Sequence, residues 1–157
     1  MTRREAAGVA LVAVAALLGC GQGTPAIAYD VDACDFCRMT ISDQRFGAVA
    51  RTAGGRLMHF DSIECLAGWI TAQDDPPREI WVTDAGAPGV LLPIGKARFH
   101  RATVGRSPMG RGYMAVAATR PVTARDGAEL SWSDVLAEVR REGVVPTDTT
   151  LTAGGGG

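Results

Sequence analysis

A near-repeat constrains this chain more than any other feature. Gly55–Ile63 (GRLMHFDSI) can be laid over Gly127–Val135 (GAELSWSDV), so that Phe60 falls on Trp132 and Ile63 on Val135. Upstream, Met39 precedes Phe46-Gly-Ala-Val-Ala, and Met109 precedes Tyr113-Met-Ala-Val-Ala. Each half therefore reads as a methionine loop, an apolar strand, a glycine turn, a strand ending in an aromatic, and a capped helix. A unit of this size buries too little core to stand alone, so the two are expected to pack on each other. The expected fold is α+β, with two similar ββαβ units at residues 30–90 and 91–145.

The local signals agree with that plan. Arg45–Thr52 carries Phe46, Ala48, Val49 and Ala50 and reads as a strand, with Ala53-Gly54-Gly55 as a hairpin turn and Arg56–Phe60 as the return. Asp61-Ser62-Ile63-Glu64 has a capping-box pattern with Asp61 as the cap. Ile63, Leu66, Ala67 and Ile70 then follow helical spacing from Ser62 to about Ala72. Asp74-Asp75-Pro76-Pro77 ends the helix, and Glu79–Thr83 is a further strand. In the second half, Ala97–Val104 reads as a strand and Ser133–Arg141 as a helix that stops at Gly143. Residues 146–157 (PTDTTLTAGGGG) are polar and then glycine only, which predicts a disordered tail.

Residues 1–19 read as an export signal. Arg3 and Arg4 precede an apolar run from Gly8 to Leu18 that is too short for a permanent membrane span. Leu17-Leu18-Gly19-Cys20 matches the bacterial lipobox, which implies cleavage before Cys20 and lipidation of that residue. The chain is then expected to be anchored to a bacterial membrane and to face the periplasm or the cell exterior, with residues 20–29 as a tether. Sixteen basic residues stand against 17 acidic ones without a basic patch, which argues against nucleic acid as a partner.

With Cys20 given to lipid, Cys34, Cys37 and Cys65 remain, an odd number for an oxidising compartment. Cys34-Asp35-Phe36-Cys37-Arg38-Met39 places two thiols and a thioether within six residues, a donor set that favours Cu(I) over Zn(II). In an extended backbone Cys37 and Met39 would share a side. Met109, in the polar segment GRSPMGRGY, occupies the loop equivalent to that of Met39, and pseudo-symmetric packing would bring the two together. The expected ligands are Cys37, Met39 and Met109. Cys34, His59, Asp61, Cys65 and His100 are further candidates, although Asp61 is better explained as a helix cap and Cys65 as a small buried residue. Two other readings compete: a CxxC thiol-disulfide oxidoreductase, and an adaptor held by structural zinc or a disulfide.

The lipobox, Cys34-x-x-Cys37-x-Met39-x-Ile41, Phe60-Asp61-Ser62-Ile63, Trp81-Val82-Thr83-Asp84 and Ser107-Pro108-Met109-Gly110 together resemble the NosL family of copper-chaperone lipoproteins, over roughly Asp30 to Val139. The resemblance implies a non-enzymatic carrier of Cu(I) that loads nitrous oxide reductase, alongside an ABC transporter. It also implies a fold of two similar ββαβ units. Arg38 stands where that family usually has glycine.

Overall fold

The computed structural model describes residues 23–102, 107–121, 123 and 126–145. The export signal, Cys20 and the tail from residue 146 lie outside the described residues, as does Val104 at the end of the expected strand. The architecture is α+β, with two antiparallel sheets and two helices. Among the described residues, no helix is long and apolar enough to cross a membrane.

The first sheet contains β1 (Ala48–Arg51), β2 (Leu57–Phe60), β3 (Glu79–Thr83) and β4 (Leu91–Pro93), in the order β2-β1-β3-β4. Ala48 pairs with Phe60 on one side and Val82 on the other, which sets the register of all three strands. The β1–β2 hairpin turns where the sequence predicts, with Gly55 at φ 88°, a backbone region that side chains disfavour. Helix α1 (Ile63–Thr71) follows β2 and packs on this sheet. Phe60, Ile63 and Leu66 are fully buried between them, each contributing roughly 1.5–3 kcal/mol of burial.

The second sheet contains β5 (Ala97–Arg101), β6 (Tyr113–Ala117) and β7 (Ala128–Leu130), and α2 (Trp132–Glu142) follows. Its wiring departs from the expected ββαβ order, because β5 sits in the centre with β6 and β7 on either side. The second unit is therefore β-β-β-α. The repeat aligns β6 with β1 and β7 with β2, but β6 and β7 do not pair with each other. Strand β5 satisfies the backbone of both, which a local sequence pattern cannot reveal. Ser131 and Asp134 close a capping box at the start of α2, and Gly143 ends it at φ 80°.

The sheets meet through a parallel bridge between Asp84 and Ala115, and α1 contacts β6 and α2. Phe99, Tyr113, Ala115, Val135 and Val139 share one core with the first unit. Ile27 and Tyr29 pack against it too, so the folded body begins inside the stretch expected to be a tether. Gly68 of α1 lets two elements close on the helix: a side chain there would collide with Val144 Cγ2 and meet Phe36 Cζ at 3.0 Å.

Candidate metal centre

The cysteine loop is built as a clip on the free edge of β2. Ala33 bridges Thr40, and the Cys34 amide donates to the Met39 carbonyl at 2.8 Å. The Asp35 amide donates to the His59 carbonyl at 2.8 Å, and the Asp35 carboxylate accepts from the His59 amide at 2.8 Å. Both outward backbone groups of His59 are thus satisfied by one residue of the loop, which also covers an otherwise open sheet edge. The clip needs a tight reversal, and Arg38 supplies it at φ 68°, a left-handed conformation that favours glycine.

The clip delivers Cys34 and Cys37 to the N-terminus of α1. Ser62, not Asp61, is the cap of that helix: its hydroxyl accepts from the Cys65 amide at 3.1 Å. Asp61 is consequently released from capping. Its Oδ2 accepts from the Cys37 thiol at 3.5 Å, while its Oδ1 is buried without a partner among the described residues. Cys65, in the first turn of α1, faces the same space. The donor atoms of Cys34, Cys37, Asp61 and Cys65 all lie within 4.8 Å of one another, and the three thiols are free.

The thiols differ in character. Cys34 is fully buried, yet its pKa is lowered to about 6 by the Cys65 thiol that shares a proton with it. Backbone amides of Cys37, Asp61 and Phe36 assist, against the opposing effect of burial. Cys65 is raised because its proton is committed to Cys34 and because it is buried. Cys37 is raised to about 11, first by burial and then by the neighbouring Cys34 sulfur. The cluster thus combines one thiol made more acidic by its neighbours with two that hold their protons more tightly.

The other sequence candidates are distributed differently. Met39 is half exposed, and the left-handed Arg38 between it and Cys37 removes the extended backbone that would align their side chains. Met109 lies in a turn closed by the Gly110 amide on the Ser107 carbonyl at 2.8 Å, and its side chain packs at the rim of the core. That turn is tied to α1, because the Ser107 hydroxyl donates to the buried Glu64 and accepts from the Gly112 amide at 2.9 Å. Glu64, whose pKa burial raises, precedes Cys65, so the Met109 turn and the thiols hang from the same turn of helix.

Neither histidine belongs to the thiol cluster. β2 stops at Phe60, just after His59, and the chain turns toward α1 before Asp61, so His59 does not follow Asp61 into the cluster. His100 lies on β5 in the second sheet.

No family model matches the chain, and no match is found among curated proteins. Among solved structures it is similar to the crystal structure of the copper chaperone NosL from Shewanella denitrificans, at 16% identity and a TM-score of 0.48. The match covers 76% of this chain and 90% of that one.

Proposed function

We propose that this chain is a lipid-anchored Cu(I) carrier that hands copper to an exported copper enzyme. One observation carries the reading: three free thiols and a carboxylate with an unpaired oxygen gather within 4.8 Å of one another, two of the thiols on a loop that also carries a half-exposed methionine. Cys34, made more acidic by its neighbours, supplies the first strong donor. Cys37, at the surface end of the cluster, supplies the second by binding the incoming metal as its thiolate and releasing its proton to solvent, so affinity rises with pH. Met39 and Met109 supply neutral thioethers, good ligands for Cu(I) that are easily exchanged during transfer. The family resemblance names nitrous oxide reductase as the client and an ABC transporter as an associated complex.

The thiol-disulfide reading is poorly served by this geometry. Exchange needs the accessible thiol to be the acidic one. Here the acidic thiol, Cys34, is sealed, and the accessible Cys37 is raised. Structural zinc is a real second reading, because three thiols and Asp61 are the four donors that a closed tetrahedral site requires.

Anaerobic competition titration separates the two. A carrier takes up one equivalent of Cu(I), loses tight binding in Cys37→Ser, weakens in Met39→Leu, and stays folded when stripped of metal. Purification with one firmly held zinc, and unfolding on chelation, would establish the structural site instead. No Cu(I) uptake at one equivalent would end the carrier reading. Copper transfer to the apo-form of nitrous oxide reductase tests the client.

A further inference from the structure

His100 is the most conspicuous buried group that the thiol site leaves unused. Its side chain is fully buried, and neither Nδ1 nor Nε2 has a hydrogen-bond partner among the described residues. A buried polar group left without a partner destabilises the fold, so a fold that keeps it invites a functional account.

The register of the second sheet says what stands beside it. His100 is directly opposite Met114 on β6 and Glu129 on β7. Phe99, Tyr113 and Ala115 belong to the core that the helices cover, so by strand alternation His100 and Met114 share the opposite face, away from the helices. Directly opposed cross-strand residues have Cβ atoms about 4.5–5.5 Å apart, which lets an imidazole nitrogen and a thioether sulfur converge on one ion.

Met114 also lines a solvent-connected cavity of about 220 Å³ between the sheets, with Val116, Ala85, Gly86, Arg45, Arg120 and Asp126. The arginines nearby are already neutralised: Arg45 by Asp43 at 2.6 Å, Arg120 by Asp126, and Arg98 by Glu129 at 3.8 Å. A cation entering this cavity therefore meets no uncompensated positive charge on its lining, and reaches a sulfur with a nitrogen behind it.

The geometry points to a second Cu(I) site, separate from the thiols, in which His100 and Met114 are the ligands. Neutral imidazole nitrogen with thioether sulfur is a donor pair suited to Cu(I). A thioether carries no proton and a neutral imidazole binds through a lone pair, so no thiol has to be deprotonated for this site to load. The thiols sit in the cysteine loop and at the start of α1, whereas His100 and Met114 lie on the second sheet, so each site can be removed without the other.

The test is an anaerobic Cu(I) titration against bicinchoninate, with ring-nitrogen spectra of protein carrying ¹⁵N-histidine. The chain has two histidines, and His59→Gln assigns their signals. Met114→Leu conserves volume and should keep the fold. The expected result is that wild type takes up one equivalent more than Met114→Leu, that a His100 ring nitrogen shifts on loading, and that Cys37→Ser retains the Met114-dependent equivalent. Equal stoichiometry in wild type and Met114→Leu, or unmoved His100 nitrogens in saturated wild type, would overturn the proposal. Loss of one equivalent in Cys37→Ser bears on the thiol site alone, whereas loss of the Met114-dependent equivalent as well would overturn the second site.

Discussion

Replacing Arg38 with glycine should stabilise the metal-free protein, an unusual outcome for removing a long side chain. Arg38 is held at φ 68°, where an L-residue is disfavoured by roughly 1–2 kcal/mol. Glycine removes that penalty but loses about 0.5–1 kcal/mol through the greater freedom of its unfolded chain. The contact of Arg38 with Asp35 is 3.9 Å long, and the guanidinium side chain is 76% exposed, so its loss is worth a few tenths of a kcal/mol at most. The balance favours Arg38→Gly by about 0.5–1 kcal/mol. Arg38→Ala separates the terms, because it loses the same contact while retaining the backbone penalty, and should be neutral or slightly destabilised. Urea unfolding under reducing conditions reads the difference as a midpoint shift of about 0.2–0.7 M at unchanged slope. If glycine is no more stable than alanine at this position, the left-handed reversal is not what holds the loop, and the account of the clip fails with it.

Stability should also depend on pH through the thiols. The Cys34 pKa falls from 9.0 to about 6 on folding, so its contribution is complete above pH 9 and is lost as pH drops toward 6. Cys37, raised to about 11, withdraws stability as pH rises above 9. Metal-free protein should therefore gain on the order of 1 kcal/mol per pH unit between 6 and 9, and Cys34→Ser should flatten that limb in urea titrations. A wild-type profile as flat as that of the variant would remove the buried thiolate. Ser107→Ala leaves Glu64 without its hydroxyl donor and should cost about 1–3 kcal/mol, largely recovered in Glu64→Leu/Ser107→Ala, where the buried carboxylate is gone as well. Thermal unfolding of both variants checks this, and a silent Ser107→Ala would mean that the Met109 turn is not anchored through Glu64.

The elements that follow local periodicity were legible in the sequence. The hairpin, α1 and β3 fall where alternation, capping and the Pro-Pro break put them, and α2 lies within a residue of its expected span. The pairing of the second half was not legible, because the choice of β5 as a central strand is made between segments distant in sequence. The three-residue β4 is too short to show a period.

The site was legible by residue type more than by arrangement. Cys37 stood out as a sulfur donor with Cys34 as a further candidate, but Cys65 looked like a small buried residue, and Asp61 looked like a cap because Asp61 and the adjacent Ser62 offer the same chemistry to a helix start. Only the backbone reveals that Ser62 takes the role. Arginine gives no hint of a positive φ, so the Cys37–Met39 alternation looked sound from sequence. The one available signal was that glycine is usual at position 38 in the family that the motifs resemble.

At position 59 the clip grips β2 by the strand's own main-chain atoms. Asp35 recognises the amide and carbonyl of residue 59, groups that every amino acid except proline presents alike. The position is thereby insulated from its own side chain: the loop that carries Cys34 and Cys37 is indifferent to whether histidine stands there. Residue 59 is half-buried and hydrogen-bonded to the loop that carries two of the thiols, yet outside their cluster. It is accordingly a free variable of the design, where a spectroscopic label or a different chemistry can be installed beside the cysteine loop while the hydrogen bonds that shape the loop stay as they are.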